Sequence, residues 1–572
     1  MKKIFTAFFV TAAMTLFLSP HTLAQTQTDS VFAGFTKVVA ITENPDTAQS
    51  DRVAQMVVGG LDLNENGKKE FLYVTDNTFT GGRQSHYLGY SLFLYEYDAA
   101  TTSYKNIWKY SIPDTVGGSF PVFCIADLNG NGHKEIVLGV QYGAGLPTPG
   151  ANPDRLLVFE FGPGALPTTP TATWNFDAPA GSNVRPSALI AGDVDGDGVQ
   201  ELGIAFRAFS AGTKGIIIAS VTGGFAGPFT QWKKELYDTT TATASIYGSA
   251  RITDLNNNGK KEFTFGYAGS TNVYVFEAAK ADSFVRSVIN LKKGTTLSGG
   301  NTLSMEQADI RGDGKNELLF GASPADLYVV DSIKTLQTAD SSQLVKRIGS
   351  INNVPKTTIN EFRGLTAGDL DGNGKTDILM CDGGRVWRFE YKGTGLATDS
   401  SSYNTSIVYQ DTTSGTRFRW VTFIGDNWSK SMGISAGDMD GDKKPEVLLA
   451  NQRGGDPQTG VSKIVILEST TAVNSVEIGK DGQVISTYRL EQNYPNPFNP
   501  STSIKFAMSH QGFVNLSVFD ITGRKVATLV NESLAAGEHV AQFNASRLAS
   551  GTYMYVLSVG GNQLTKKMLF VK

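Results

Sequence analysis

Nine residues of this chain, Asp193-Val194-Asp195-Gly196-Asp197-Gly198-Val199-Gln200-Glu201, put carboxylates at positions 1, 3 and 5, a glycine at 6 and an acid at 9. Acids two residues apart converge on one side of a tight loop, the glycine admits a positive φ, and the ninth residue closes the cage. Donors that are all oxygen suit a hard cation of flexible coordination, so Ca²⁺ before Mg²⁺, and not zinc. The closing acid falls at 9 rather than at the 12 of an EF-hand, and residues 188–191 and 202–206 beside it read as strands rather than helices.

The same frame recurs six more times. It stands at Asp62-Asn64-Asn66-Gly67-Glu70, Asp127-Asn129-Asn131-Gly132-Glu135 and Asp254-Asn256-Asn258-Gly259-Glu262. It returns at Asp309-Arg311-Asp313-Gly314-Glu317, Asp369-Asp371-Asn373-Gly374-Asp377 and Asp438-Asp440-Asp442-Lys443-Glu446. The first Asp falls at 62, 127, 193, 254, 309, 369 and 438, a period of 55 to 69 residues, which is a repeat architecture. One copy alone reads equally as an Asn/Asp/Gly hairpin turn held by side-chain-to-backbone hydrogen bonds. Seven copies, each with an acid at position 9, favour cation loops, because a turn has no use for that acid. Arg311 replaces a ligand at position 3 and Lys443 replaces the glycine at 6, so those two loops depart from the frame.

The elements that must carry these loops are strands. In the second repeat, runs at 121–126 and 135–140 flank the loop, and 155–161 and 171–176 follow; the fourth gives 249–253, 262–267, 272–277 and 284–291. Apolar runs of that length bounded by Gly, Pro and Asn are the strand signal. Four-stranded units repeated seven times predict an all-β fold, a seven-bladed β-propeller. The seventh unit lacks an outer strand after 446–450 and 463–468, and the spare run at 35–41 is placed to complete it and lock the ring. A stacked solenoid would need capping units, and none is evident.

Residues 1–24 read as a secretory signal peptide, with Lys2 and Lys3 before an apolar run and small residues ahead of a cleavage point after Ala24. A membrane anchor is the competing reading, but the run is short and no other apolar stretch approaches the ~18 residues of a span. A net charge of −4 gives no reason to expect nucleic acid or an anionic membrane as partner. The two cysteines, Cys124 and Cys381, lie in separate apolar runs and are expected buried and unpaired.

The repeats resemble the FG-GAP/VCBS class, the calcium-loop blades of integrin α-subunit propellers and of many exported bacterial proteins, with Phe320-Gly321-Ala322 and Phe265-Gly266 matching its naming motif. The resemblance spans residues 31–470 and implies several structural Ca²⁺ ions.

Residues 471–488 read as a polar linker, and 489–572 as a small Ig-like β-sandwich with strand-like runs at 503–506, 514–520, 525–529, 539–543, 552–559 and 566–571. Asn493-Tyr494-Pro495-Asn496-Pro497-Phe498-Asn499-Pro500-Ser501-Thr502, with Gly551-Thr552-Tyr553 and Lys566-Lys567, resembles the type A C-terminal sorting domain of the type IX secretion system. That resemblance implies the secretion machinery as partner, export across the outer membrane, and a final place on the cell surface or in the medium.

No Ser nucleophile elbow, HExxH or phosphate-cradling loop is evident, and the acids concentrate in the cation loops. Long second-to-third-strand connections are expected at 77–90, 141–154 and 451–460, with a long link at 411–430 that carries Arg417, Arg419, Trp420 and Trp428. These side chains read either as a ligand face, for glycan or protein, or as packing of the link onto the blade edge. The function expected is a non-catalytic binding or adhesion module. A lyase-like enzyme on extracellular polysaccharide and a structural envelope or matrix protein are the alternatives.

Overall fold

The protein is described by a computed structural model at residues 29–31, 35–41, 53–76, 90–112, 121–140, 154–176, 184–208, 214–225, 232–239, 248–267, 272–290, 304–322, 326–331, 333, 336, 345–350, 364–411, 418–424, 426, 438–451, 463–470, 489–508, 512–534, 537–559 and 562–572. The expected signal peptide and the linker at 471–488 lie outside these residues.

Among the described residues the chain is all-β, with one 3-10 turn at Ser400–Ser402 and no α-helix. Seven small antiparallel sheets precede two that belong to the C-terminal unit. Their first strands are Val53–Leu61, Val122–Ala126, Val184–Gly192, Gly248–Thr253, Ser304–Ala308, Leu365–Gly368 and Phe418–Phe423. From the second sheet onward each first strand packs on the next, and the seventh packs on Val53–Leu61 of the first. Tyr90 Oη of the first sheet donates to Gly139 O of the second at 3.1 Å, so the succession closes, as in a β-propeller.

Composition follows depth. The inner run Glu135–Gly139 is buried throughout, so it is apolar apart from the leading acid, whereas the outer strand Trp232–Asp238 is exposed along one side and carries Lys233, Lys234 and Glu235. Cys124 and Cys381 are buried and unpaired, as expected.

The ring is closed by the N-terminal segment. Phe35–Ile41 pairs antiparallel with Ile464–Ser469, from Phe35↔Ser469 to Ile41↔Ile464, and supplies the outer strand that the seventh sheet lacks. A second closure was not expected. Asp29–Val31 adds a fifth strand to the sixth sheet by pairing with Tyr403–Asp411. Three residues carry too little periodicity to announce a strand.

The sequence treated 411–430 as one long connection. The structure corrects this, because Phe418–Phe423 is the innermost strand of the seventh sheet, anchored by the buried Phe418 and Val421. The C-terminal unit is a sandwich of a three-stranded and a four-stranded sheet, as predicted. Its entry segment is pinned by Asn493, whose Nδ2 donates to Pro495 O and Thr502 Oγ1, both at 3.0 Å. Phe498 is sealed between Phe543 and Phe570.

Candidate metal centres

All seven frames fold alike. Each lies between the first and second strands of its sheet, and each second strand begins on the position-9 acid: Glu70–Asp76, Glu135–Gly139, Glu201–Ala208, Glu262–Tyr267, Glu317–Ala322, Asp377–Asp382 and Glu446–Asn451. One oxygen of Asp62, Asp127, Asp193, Asp254, Asp309, Asp369 and Asp438 accepts from the backbone N–H five residues on, at 2.7–3.2 Å. One oxygen of each closing acid accepts from the backbone N–H of position 2, at 2.7–3.1 Å. Position 6 needs a left-handed backbone, and Lys443 takes it with φ 70° while donating to Asp438 as the glycines do elsewhere. The seventh loop therefore keeps its shape despite the lost glycine.

The closing acids leave one oxygen over. Oε1 of Glu70, Glu135, Glu262, Glu317 and Glu446 is buried with no hydrogen-bond partner in the protein, and of these five only that of Glu317 has an ion-pair partner. Such an oxygen costs desolvation energy unless a cation or proton meets it. Burial accordingly pushes the carboxyl of Glu70 up to about 7, those of Glu135, Glu201 and Glu262 to about 8, and that of Glu446 to about 9. In the third loop Asp193, Asp195, Asp197 and Glu201 bring oxygens within 4.8 Å of one another, and Asp438, Asp440 and Glu446 do so in the seventh. These all-oxygen donor sets fit a hard divalent cation, and in the seventh loop Glu446 has a buried carboxylate oxygen to spare.

Two loops differ. In the fifth, Arg311 Nη2 reaches Glu317 Oε1 at 2.9 Å, Asp331 Oδ1 at 3.3 Å and Asp313 Oδ2 at 3.4 Å. In the sixth, Arg388 of the third strand donates through Nε to Asp377 Oδ1 and through Nη2 to Asp371 Oδ2, both at 2.5 Å. A guanidinium thus meets the inner oxygen of these two closing acids. Arg311 was conspicuous in the sequence, but Arg388 was not, since it lies outside the nine-residue frame.

Further groups escaped the sequence reading. A third-strand acid, one of Glu96, Glu160, Glu277, Asp331, Glu390 or Glu468, reaches loop residues in every sheet except the third. Neighbouring loops also touch through position 8. Gln200 Oε1 accepts from Asp127 N at 3.0 Å, Lys261 Nζ donates to Asp193 O at 3.4 Å, and Thr376 Oγ1 donates to Asp309 O at 2.9 Å. These contacts place the loops side by side on one face of the ring. His133 Nδ1 also pairs with Glu65 Oε1 of the first loop at 2.5 Å.

Of the expected ligand face, Arg417 and Trp428 lie outside the described residues, as do most of the long connections at 77–90, 141–154 and 451–460. Arg419 sits in the strand Phe418–Phe423, without a described side chain. Trp420 packs against the main hydrophobic core, and its Nε1 donates to Thr422 Oγ1 at 2.6 Å.

Residues 492–572 match the family described as a secretion system C-terminal sorting domain, and residues 369–449 match an FG-GAP-like repeat, the sixth loop through the seventh. No curated protein matches the chain. Among solved structures, similarity extends to PorZ, an essential bacterial surface component of the type IX secretion system of Porphyromonas gingivalis, at 14% identity and a TM-score of 0.40. That match covers 93% of this chain and 61% of PorZ. The exotype rhamnogalacturonan lyase YesX is similar at 15% identity and a TM-score of 0.37, over 78% of this chain and 76% of the lyase. The chain thus carries an FG-GAP-like repeat and, at its C-terminal end, a type IX sorting domain, which marks it for export across the outer membrane to the cell surface or the medium.

Proposed function

We propose that residues 31–470 form a calcium-stabilised seven-bladed propeller that works outside the cell as a non-catalytic binding module, delivered by the sorting domain at 489–572 after removal of a signal peptide at 1–24. The observation that carries the calcium reading is the buried, unpartnered Oε1 of Glu70, Glu135, Glu262 and Glu446, repeated in four loops of one frame. A divalent cation satisfies that oxygen and the side-chain oxygens of positions 1, 3 and 5 together. The binding reading is supported by where the acids are spent. They are engaged in loop architecture, and the connections expected long from the sequence, with Arg417, Arg419 and Trp428, are the candidates for contact with an extracellular glycan or protein.

Metal analysis and melting curves with and without EGTA test the first part. Each independent site held at 100 times its dissociation constant contributes about 2.7 kcal/mol, so chelation lowers the melting temperature markedly. An unchanged curve, once analysis shows that no metal remains, removes calcium from the account. A glycan array followed by assays for unsaturated products tests the second part. Turnover of any bound polysaccharide replaces the binding module with a lyase.

A further inference from the structure

Directly opposite five of the seven closing acids stands a second acid, an arrangement that like charges disfavour. Glu70 pairs with Glu96, Glu135 with Glu160, Glu262 with Glu277, Asp377 with Glu390 and Glu446 with Glu468. In the fifth sheet Asp331 follows Val330, the partner of Leu318. In the third sheet the residue opposite Glu201 is Ser220.

The loop side chains explain the pairing. Where positions 3 and 5 are both Asn, their amides donate to the third-strand Glu. Asn64 and Asn66 donate to Glu96 Oε2 at 3.3 and 2.5 Å, and Asn129 and Asn131 to Glu160 Oε2 at 2.6 and 3.1 Å. Asn256 and Asn258 donate to Glu277 Oε2 at 3.4 and 2.8 Å. The Oδ1 of each of these six amides accepts from the backbone N–H two residues on, at 2.7–3.1 Å. Neither end of the amide can be exchanged without losing both bonds, so the carboxylate fixes which atom faces the loop. In the third loop, where positions 3 and 5 are both Asp, there is no amide to orient, and Ser220 replaces the acid. Where position 3 is Arg311, Asp331 pairs with its guanidinium instead. In the seventh, Lys444 Nζ reaches Glu468 at 3.0 Å and also pairs with Asp442.

We propose that the third-strand acid of the first, second and fourth sheets is a positioning residue for cation binding: it holds two asparagine amides with their carbonyl oxygens on the loop side and polarises them toward the ion. This rests on the calcium reading above. A neutral amide is a weaker donor than a carboxylate, and a charge-assisted bond to its N–H₂ raises the basicity of its oxygen. Negative charge withheld from the loop itself is thereby placed behind it.

Glu160 gives the test, because no lysine pairs with it among the described contacts. Glu160→Ala, Glu160→Gln and Ser220→Ala are made in the full chain, and bound calcium is counted at buffered free calcium concentrations. Melting is followed with calcium and with EGTA. Glu160→Ala is expected to weaken one site by about 10–100-fold, so that one ion fewer is held where the unaltered chain is just saturated. Glu160→Gln, which retains an acceptor oxygen, restores most of that affinity, and Ser220→Ala loses no ion. The melting temperature falls more in calcium than in EGTA. Full calcium retention by Glu160→Ala overturns the proposal, as does an equal loss of melting temperature in both conditions. Loss of the ion in Glu160→Gln as complete as in Glu160→Ala makes the carboxylate itself a ligand and ends the positioning role. An unaltered chain that takes up no calcium ends the calcium reading instead, a distinct result.

Discussion

Arg311 Nη2 lies 2.9 Å from Oε1 of Glu317, the carboxylate oxygen that goes unmet in the first, second, fourth and seventh loops. Arg388 stands in the same relation to Asp377 in the sixth loop. In these two loops a guanidinium of the chain itself thus stands where the proposed cation would stand in the others.

The guanidiniums are exchangeable for metal on this account. Arg311→Ala leaves Glu317 uncompensated and is expected to cost about 2–3 kcal/mol in EGTA, less than a fully buried pair because the arginine is partly exposed. Calcium should restore most of that loss, and the variant should bind one ion more than the unaltered chain. Calorimetric titration of both proteins measures the difference. A variant that stays destabilised and gains no ion would show that the fifth loop lacks a usable donor set.

A second buried acid sets a pH dependence away from the loops. Glu306, on the first strand of the fifth sheet, is fully buried, with Arg251 Nε at 3.1 Å. Burial pushes its carboxyl from the ordinary 4.5 up to about 8, with Arg251 opposing the shift and Asp426 adding to it. The folded state therefore holds a proton that the unfolded chain releases. Its contribution is fully present below about pH 4.5 and is lost as pH rises through about 8. In saturating calcium, which keeps the loops constant, the urea midpoint should fall between pH 5 and pH 9, and Glu306→Gln should flatten the slope. Identical slopes in the two proteins would assign the dependence to another group.

What the sequence disclosed follows from the range of the interactions. A loop is written in nine consecutive residues, so its donors, its glycine and its closing acid can all be read together. The third-strand acids cannot be read so, because hairpins of unequal length intervene: Glu96 lies 32 residues past Asn64, but Glu277 only 21 past Asn256. No fixed spacing marks them. Arg388 was hidden by register, since only its place two residues before Glu390 on one strand puts both on the loop side. The strand that carries Trp420 was missed because six residues inside an apparent connection carry little signal beside two arginines.

Trp420 now separates packing from recognition. Its ring lies on the core and its indole N–H is already engaged by Thr422. Trp420→Ala is expected to lower stability by about 2–3 kcal/mol, less than the loss of a fully buried aromatic because the ring is only partly buried. A variant that melts as the unaltered chain does but loses attachment to a ligand would return Trp420 to the binding face.

The last prediction concerns closure. Phe35 is 5% exposed and packs in a cluster with Leu370, Val447 and Leu467, which joins the sixth and seventh sheets. Its strand provides the outer edge of the seventh sheet, and Asp29–Val31 covers the sixth. An uncovered edge exposes a row of unpaired N–H and C=O groups and invites pairing with another chain. Phe35→Ala is expected to destabilise by about 3 kcal/mol through the cavity alone. Removal of residues 29–41 should do more, because it loses two strand pairings as well as the apolar contact. Such a truncated chain should unfold at lower urea and form dimers or larger species by light scattering. The point variant should stay monomeric, since its backbone pairing survives. A truncated chain that remains monomeric and melts with Phe35→Ala would mean that the first six sheets and the remaining strands close without the N-terminal segment.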